Sequence, residues 1–441
     1  MESAVQSRYF EFLRIPSVSS DQGKLKECCA AAMWLKSQVE EMGFTARLET
    51  RDFAPPILLA ELKGENPATV LVYGHYDVQP ADPLEAWETP PFEPTVKDGR
   101  VYCRGAQDDK GQLFALLTGI GDYLDRQKVK GAPTPTIKLC IEGQEESGSP
   151  ALIKCAPELR KELAADILLV CDTSAAADLR PAIVAGLRGV GHFTVRLKGP
   201  NRDLHSGEYG GIAPNPAQAM AKLLASLHDD EGNIAVAGFM DGIEAPTADE
   251  LEAAEKSAVT VEALERDIGT KAATREIARK NGFEPTIEIN GVHSGYGGPG
   301  SKTIIPAEAI AKISMRLVPG QSPRRAFECV KAHLEAHIPK GMVMDIPEQA
   351  EGAGGFRLPL ASPVFRLAEE VLNGMDARGA VFQWDGASIP VVSVLKEVSG
   401  AAPLIVGWGQ AEDRIHSPNE SYGFNQFGKA REWARRILEN V

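Results

Sequence analysis

Apolar positions along the 441-residue chain follow two different periods, and their order predicts an architecture. Three near-continuous apolar runs are typical of buried strands: TVLVYG (69–74), TIKLCIEG (136–143) and DILLVCD (166–172). Between the first two, residues 110–127 carry apolar side chains at helical spacing, and two more helical stretches precede the first run. Such strands alternating with helices predict an α/β fold with helices flanking a mostly parallel sheet, whose ligands gather at the carboxyl ends of the strands.

After Gly186 the pattern becomes that of a smaller α+β sandwich, with alternating strands and amphipathic helices. Its segments are VGHFTVRLKG (190–199), NPAQAMAKLLASLHD (215–229), AEAIAKISMRLVP (307–319) and PRRAFECVKAHLEAHI (323–338). Residues 248–281, between its halves, are charged and mostly helical, and we interpret them as a surface insertion.

The glycine-rich passage EQAEGAGGFRLP (348–359) is predicted to return the chain to the first unit. There IPVVSVLKEV (389–398) and APLIVGWG (402–409) are interpreted as strands, and residues 427–441 as a closing helix. The expected domains are a first one made of residues 1–186 and 355–441, and an inserted one made of residues 187–354.

Composition and charge narrow the function classes. The net charge of −14 arises from 61 acidic and 47 basic residues without a basic cluster, so we expect no nucleic-acid partner. No run approaches the roughly 18 to 20 apolar residues of a membrane span, and MESAVQSRYFEF has no apolar core of the signal-peptide type, so we expect no membrane partner. The seven cysteines lack CxxC spacing, which argues against disulfides and a thiolate zinc site and favours reduced thiols in a cytoplasm.

Potential metal ligands follow the ends of the predicted strands. Histidine and carboxylate side chains without thiolates form a nitrogen and oxygen ligand set of the kind found in catalytic metal sites. Their positions are His75 and Asp77 after the first strand, Glu145 and Glu146 after the second, Asp172 after the third, Asp108 and Asp109 before the helix of residues 110–127, and His416 in GQAEDRIHSPNE (409–420).

The residue types suit a site in which two metals activate a water and clamp a carbonyl oxygen. A carboxylate can bridge two ions about 3.5 to 4 Å apart, and a second carboxylate behind an imidazole fixes its tautomer, which Asp77 can do for His75. Neighbouring Glu145 and Glu146 point to opposite faces of an extended backbone, so one can bind metal while the other acts as a base. Taken singly, an aspartate before a helix is more often a cap and one after a strand a turn residue, so the prediction depends on their joint occurrence.

The ordered motifs VLVYGHYDVQP, RGAQDDKG, IEGQEESGS, CDTS and EDRIHSPNE resemble the di-zinc metallopeptidase family of aminoacylases, carboxypeptidases and dipeptidases. EAWETPPFEPTVKDGRVYCRGAQDDKG and GYGGPGSKTIIPAEAIAKISMRLVPGQ are similar to its carnosinase and cytosolic nonspecific dipeptidase branch, so the likeness covers most of the chain. The resemblance implies two zinc ions, with manganese or cobalt as alternatives. It implies these roles: His75, Asp108 and Asp172 on one metal, Asp108, Glu146 and His416 on the other, Glu145 as general base, Asp77 orienting His75, and often a cis Asp108–Asp109 peptide.

The same resemblance implies that the smaller domain is a lid through which a homodimer forms. His205 in RDLHSGEYGG would reach the partner subunit's active site and stabilise the oxyanion of the tetrahedral intermediate. Asn215, Thr303 and Arg316 match lid positions that contact substrate, although an arginine on an alternating strand is commonly just solvated. Ser388 is a further expected substrate contact, in the QWDGASIP loop (383–390) on the carboxyl side of the substrate, where Trp384, Asp385 and Ala387 depart from the usual residues. Cys103 replaces a glycine, and its thiol is either inert packing or an oxidation-sensitive site.

The predicted function is therefore hydrolysis of an amide bond in a small substrate, most simply an unblocked dipeptide. The alternative within the same family is an N-acyl amino-acid deacylase, which the unusual QWDGASIP loop keeps open while Arg316 and GPGSKTIIP favour the dipeptidase. A non-catalytic binding relative is disfavoured because Glu145 and all five matched ligands are present, and a structural protein because the chain has no repeats.

Overall fold

The computed structural model describes residues 1–51, 53–349 and 352–441, so two residues of the glycine-rich passage 348–359 lie outside the described residues. The α-helices in these ranges are α1 (Ser3–Leu13), α2 (Leu25–Glu41), α3 (Lys110–Lys130), α4 (Pro150–Cys155), α5 (Arg160–Leu163), α6 (Ser206–Tyr209), α7 (Pro216–Ala225), α8 (Ala248–Ser257), α9 (Val261–Ile268), α10 (Ile277–Phe283), α11 (Pro323–His337), α12 (Pro363–Asn373), α13 (Pro390–Ser399) and α14 (Phe424–Glu439).

The strands in the same ranges belong to one large sheet, one medium sheet and two small ones. They are β1 (Thr45–Glu49), β2 (Ile57–Leu62), β3 (Thr69–His75), β4 (Thr95–Lys97), β5 (Arg100–Tyr102), β6 (Thr136–Glu142), β7 (Ile167–Val170), β8 (Ala182–Leu187), β9 (Gly189–Lys198), β10 (Leu204–His205), β11 (Thr286–Ser294), β12 (Ile304–Ile305), β13 (Glu308–Leu317), β14 (Val343–Gln349), β15 (Phe356–Arg357), β16 (Val381–Asp385), β17 (Ala402–Ile405) and β18 (Ser421–Gly423).

The large sheet has the order β1-β2-β6-β3-β7-β17-β8-β15, with β16 beside β8. Its centre, β6-β3-β7-β17, is parallel, whereas its flanking strands include antiparallel pairs. The three predicted strands are β3, β6 and β7, and their parallel pairing brings their carboxyl ends to one edge of the sheet. The expected α/β fold with a parallel sheet is therefore confirmed.

Helices cover both faces of this sheet, which explains the near-continuous apolar character of the central strands. Val70 and Val72 of β3 pack in the cluster formed with α1, α2, α3, α12 and α14. Leu71 and Tyr73, between and after them, point to the opposite face and pack with α4, α5 and α13. A strand buried on both faces has no polar side to alternate with, so its sequence is apolar throughout.

The medium sheet has the antiparallel order β11-β13-β9-β14 and packs against α7 and α11. Both helices and the strands β9 and β13 lie where the sequence predicted them. The chain crosses from the large sheet to this one between β8 and β9, and returns beside the same point, where Val190 and Ala353 exchange backbone hydrogen bonds of 2.9 Å. Gly189 allows this close approach, because a Cβ there would lie 2.3 Å from the Ala353 carbonyl oxygen.

One predicted strand is wrong: residues 389–398 form helix α13 rather than a strand. Its many valines favour a strand, but Pro390 occupies the first turn, where its fixed φ starts a helix. The buried positions Val391, Val392, Leu395 and Val398 recur at helical rather than alternate spacing. APLIVGWG is confirmed as containing a strand, β17.

The charged residues 248–281 contain helices, as predicted, but they are more than a surface insertion. Ala254 of α8 and Phe283 at the end of α10 are buried in the main core. The Phe283 ring lies 5.1 Å from the Trp384 ring, centroid to centroid. The insertion therefore covers the strand that leads into the QWDGASIP loop. Across residues 1–51, 53–349 and 352–441, none of the helices combines the length and apolar character that a bilayer crossing needs.

Candidate metal centre

The carboxyl edge of the parallel strands gathers the predicted ligands. His75 is the last residue of β3, and Glu145 and Glu146 form a short turn after β6. Asp172 is separated from the end of β7 by the single residue Cys171. The potential ligands form two groups of three residues, and within each group the ligand atoms lie within 4.8 Å of one another. One group is His75, Asp109 and Asp172, and the other is Asp108, Glu146 and His416. All five residues matched to metal ligands thus lie in one cluster.

The carboxylate of Asp108 lies between the two histidines. Its Oδ1 is 3.3 Å from His75 Nε2, and its Oδ2 is 2.9 Å from His416 Nε2. On the outer sides, Asp172 Oδ2 lies 3.7 Å from His75 Nε2, and Glu146 Oε2 lies 3.4 Å from His416 Nε2. One carboxylate therefore presents a separate oxygen to each half of the site, which is the arrangement that a bridging ligand requires.

Asp109 is a further member of the first group. Its Oδ2 accepts the backbone N–H of His75 at 3.3 Å, and the side chain is buried. Its position before the helix made Asp109 a potential ligand in the sequence, but the family resemblance gave it no role. The Asp108–Asp109 peptide bond is cis, as the resemblance implied.

Hydrogen-bond chemistry shows that the cluster fits a cation. His75 Nδ1 lies 3.1 Å from the carbonyl oxygen of Asp77, which can only accept, so the ring donates its proton there. In the neutral ring Nε2 then carries a lone pair, and it faces the Asp108 and Asp172 oxygens, which are also acceptors. Within the described residues the buried atoms His75 Nε2, Asp109 Oδ1 and Glu146 Oε1 have no hydrogen-bond partner. Acceptors that face one another in a buried site require protons or a metal ion between them.

The pKa values of the metal-free cluster also indicate that its acceptors need protons or a metal ion between them. Burial raises the pKa of Glu146 to about 8 and also raises the pKa values of Glu145 and Asp172. The hydrogen bond to Asp108 raises the pKa of His416 to about 9. Burial alone would raise the pKa of Asp108, but the two histidines lower it below its usual range. The site therefore retains protons that a divalent cation would displace.

Asp77 ties the two ligand-bearing segments together. Its Oδ1 lies 3.3 Å from His75 Nδ1 and accepts the backbone N–H of Glu145 at 3.1 Å. Its Oδ2 accepts the backbone N–H of Glu146 at 3.1 Å and the Ser19 hydroxyl at 2.6 Å. The buried carboxylate thus fixes the imidazole and the Glu145–Glu146 turn relative to each other.

Two supporting residues were missed by sequence reasoning. Glu420, with an exposed fraction of 0%, accepts the backbone N–H groups of Gly105, Gln107 and Asp108 at 2.9 to 3.1 Å, as well as Arg104 Nη1 at 2.8 Å. Gln79 Nε2 donates to Glu146 Oε2 at 2.7 Å. Both residues lie inside the motifs that drew attention, EDRIHSPNE and GHYDVQP, and this proximity was the available signal.

The proposed lid residues lie outside both ligand groups of the described chain. His205 is exposed, its Nδ1 accepts the Gly207 N–H at 3.0 Å, and it pairs with Ile304 in the small β10–β12 sheet. Thr303, one residue before that strand, is exposed and accepts the Ser206 N–H through its backbone oxygen. Asn215 caps α7 with its Oδ1. These residues therefore share one unit without touching the metal ligands of the same chain.

Arg316 and Ser388 also lie outside both ligand groups of the described residues, but the structure brings them into contact with each other across the two sheets. Arg316 Nη1 donates to Ser388 Oγ at 2.9 Å, and both side chains are half-buried. Burial lowers the pKa of Arg316. The ordinary interpretation of Arg316 as a solvated arginine does not describe this geometry.

The surroundings of Cys103 favour the packing interpretation over an oxidation-sensitive site. The side chain is fully buried, and its Sγ lies 3.2 Å from the Pro91 carbonyl oxygen. Burial raises the pKa of the thiol well above its usual range, so the reactive thiolate is suppressed.

An α/β fold that gathers two groups of potential histidine and carboxylate ligands at the carboxyl edge of its parallel strands, with one aspartate between them, is typical of hydrolases of the two-metal type. The chain belongs to the peptidase family M20/M25/M40, whose sequence model matches residues 71–440.

Curated relatives and solved structures agree with this assignment. The chain is 30% identical over 449 residues to the Cys-Gly metallodipeptidase dug1 of Schizosaccharomyces pombe, covering 96% of this chain and 92% of that protein. It is 31% identical over 383 residues to the Beta-Ala-His dipeptidase of Rattus norvegicus, covering 83% and 76%. The structure of the M20 family metallo-carboxypeptidase Sso-CP2 from Sulfolobus solfataricus superposes with a TM-score of 0.89 at 30% identity, covering 100% and 99%. The resemblance to the dipeptidase branch is thereby confirmed.

Proposed function

We propose that the protein is a metal-dependent dipeptidase that hydrolyses small dipeptides with a free C-terminal carboxylate. The observation that carries the proposal is the Asp108 carboxylate, which offers one oxygen to the buried His75 and the other to the exposed His416 of a two-part ligand cluster. The dipeptidase names of the similar proteins support this substrate class over N-acyl amino acids.

The ligand assignment follows the two halves of the cluster. His75, Asp108 and Asp172 would hold one divalent ion, and Asp108, Glu146 and His416 the other, with Asp109 supporting the first half through His75. When bound, such ions supply Lewis-acid activation of the amide carbonyl and of the attacking water. We propose zinc, since the ligands are nitrogen and oxygen atoms, and manganese or cobalt suits the same donors.

Glu145 would act as the general base. It is held in place because its backbone N–H is bound by Asp77, and burial raises its pKa toward the range in which a carboxylate can both accept and return a proton. In the reaction the carboxylate takes one proton from water as the oxygen attacks the carbonyl carbon. It then gives that proton to the nitrogen of the leaving amine, so the C–N bond breaks without a charged amide leaving group.

Substrate contacts would come from the second sheet. We propose that residues 187–354 form a lid and dimerisation domain inserted between residues 1–186 and 355–441, and that the protein is a homodimer. The exposed position of His205 supports a role across the dimer, where it would stabilise the oxyanion in the partner's site. Arg316 would bind the substrate carboxylate, with Ser388, Asn215 and Thr303 nearby in the closed site. The cysteines are all free, which supports a cytoplasmic location.

The test is product formation, measured by chromatography, from a panel of unblocked dipeptides that includes Cys-Gly and β-Ala-His, alongside N-acetyl amino acids. Zinc-loaded and manganese-loaded protein are compared, with Glu145→Gln as the inactive variant and the exposed Glu11→Gln as its matched control. Cleavage of dipeptides by wild type and Glu11→Gln alone supports the proposal. Cleavage confined to acylated amino acids would make the protein a deacylase, and no cleavage of either set with two metals bound would refute the substrate class.

A further inference from the structure

Arg188 is the single residue between β8 of the large sheet and β9 of the medium sheet. Its half-buried guanidinium reaches two segments that are distant in sequence. Nε donates to the carbonyl oxygen of Gly386 at 3.0 Å, and Nη1 donates to that of Glu284, just after α10, at 3.2 Å. The Lys280 carbonyl lies 3.5 Å from the same nitrogen. One side chain thus connects the crossover point, the insertion and the QWDGASIP loop.

The loop that Arg188 holds has little freedom to move. A Cβ at Gly386 would lie 2.0 Å from Asn281 Oδ1 and 2.7 Å from Arg188 Nη2, so the backbone is packed directly between them. Asp385 Oδ1 accepts the Ala387 N–H at 2.9 Å, which closes the loop on itself. Ser388, two residues after Gly386, accepts the hydrogen bond from Arg316. A shift of Gly386 would therefore be transmitted to the partner of Arg316.

Arg188 carries its charge without a direct ion pair. Its hydrogen-bond acceptors are neutral carbonyls, and among the described residues no salt bridge involves it. Burial and the neighbouring Arg316 guanidinium lower the pKa of Arg188 to about 10, while Asp385 and Glu288 oppose this shift. These carboxylates offset part of the repulsion between the two arginines, and the direct contacts of Arg188 hold backbone.

We propose that Arg188 is a positioning residue for recognition of the substrate carboxylate. It fixes the Gly386–Ser388 backbone against the end of α10, so that Ser388 holds the Arg316 guanidinium ready for a carboxylate. This inference rests on the proposed dipeptidase function, and it assigns a role in that function to the end of the insertion of residues 248–281 and to Glu284 just beyond it.

The experiment compares Arg188→Met, Arg188→Lys and the control Arg196→Met in the metal-loaded full chain. Arg196 is a suitable control because it lies on β9 and pairs with Asp345 by two hydrogen bonds of 2.8 and 2.9 Å. Steady-state kinetics are measured with an unblocked dipeptide and with the same dipeptide as its C-terminal amide. We expect Arg188→Met to raise KM for the free acid about tenfold or more, because a displaced Arg316 would lose its charge-assisted contact with the substrate carboxylate, while kcat and the KM of the amide change little. Arg188→Lys should recover part of the loss, and Arg196→Met should behave as wild type.

Hydrogen exchange provides a readout that does not depend on activity. Arg188→Met should exchange faster than wild type in residues 384–389 and 280–286, and Arg196→Met should not. An unchanged free-acid KM, an equal loss for acid and amide, or unchanged exchange in both segments would overturn the proposal. If Arg188→Met did not fold, Arg188→Lys would decide by the same criteria. If wild type cleaved no dipeptide, the proposed function would fail, whereas the exchange rates would still decide whether Arg188 fixes the loop.

Discussion

Glu420→Gln is the sharpest test of how the site is built. Each carboxylate oxygen of Glu420 accepts two hydrogen bonds: Oε2 from Arg104 and Gly105, and Oε1 from Gln107 and Asp108. An amide has only one oxygen, so in either orientation its NH₂ group faces two donors and two of the four bonds are lost. The Arg104–Glu420 ion pair is buried, with exposed fractions of 1% on both side chains. Removing one partner of such a pair costs about 3 to 5 kcal/mol of unfolding free energy.

The substitution should also weaken metal binding, because Glu420 anchors the backbone N–H of the bridging candidate Asp108. Loss of such outer-shell partners lowers metal affinity by about 10 to 100-fold. Urea denaturation of the metal-free protein measures the first effect, and competition with a chromophoric chelator measures the second. Glu412→Gln is the matched control. Glu412 lies in the same 409–420 loop as Glu420 and pairs with Arg100 of β5, but its side chain is 67% exposed. That surface pair should contribute about 0 to 1 kcal/mol. Wild-type stability and metal affinity in Glu420→Gln would refute the reasoning, and lost stability with unchanged affinity would restrict Glu420 to a role in folding.

Two further predictions concern protonation and the insertion. Since the folded pKa of Glu146 is raised from 4.5 to about 8 and that of His416 from 6.5 to about 9, the folded metal-free protein binds more protons than the unfolded chain between these values. The stability of the metal-free protein should therefore fall as pH rises from 6.5 to 9, while its affinity for metal rises. Thermal unfolding measures the stability across this range, and chelator competition measures the affinity. A flat stability profile would contradict the raised pKa values of Glu146 and His416. Phe283→Ala should cost about 3 to 5 kcal/mol in urea denaturation, because a buried aromatic contact with Trp384 is removed. A cost below about 0.5 kcal/mol would show that α10 does not depend on this packing and would favour the sequence-based prediction of residues 248–281 as a surface insertion.

Local pattern was sufficient for elements whose environment is uniform along their length. Strand β3 is buried on both faces, so its apolar run identifies it without knowledge of its neighbours. Helix α13 shows where that reasoning fails, because a valine-rich segment suits both a strand and a buried helix. The proline at its start, together with the spacing of its buried positions, was the deciding feature.

Most candidate ligands could be found from sequence because they follow the end of an apolar strand or precede a helix, and parallel strands end at a common edge. His416 lies in a loop well beyond β17 and was found through its motif. The partners of the ligands could not be found in this way. Glu420 binds Asp108 across 312 positions of sequence, and as one of 61 acidic residues it has no local feature that distinguishes it from a solvated carboxylate. Asp109 was likewise visible as a carboxylate, but its contact with His75 depends on the packing of α3 beneath β3.

The sequence by itself determined the α/β pattern, the order of the strands and helices that bear the ligands, and the chemical nature of the site. These properties are encoded in short windows, where hydrophobic period and residue type suffice. Only the tertiary structure decided three contacts. Arg316 binds Ser388, Arg188 binds the backbone of the loop that contains Ser388, and part of the charged insertion packs in the hydrophobic core. Such contacts join segments 72 to 198 residues apart, and their energy depends on burial and on the orientation of donors, which exist only once the chain is packed.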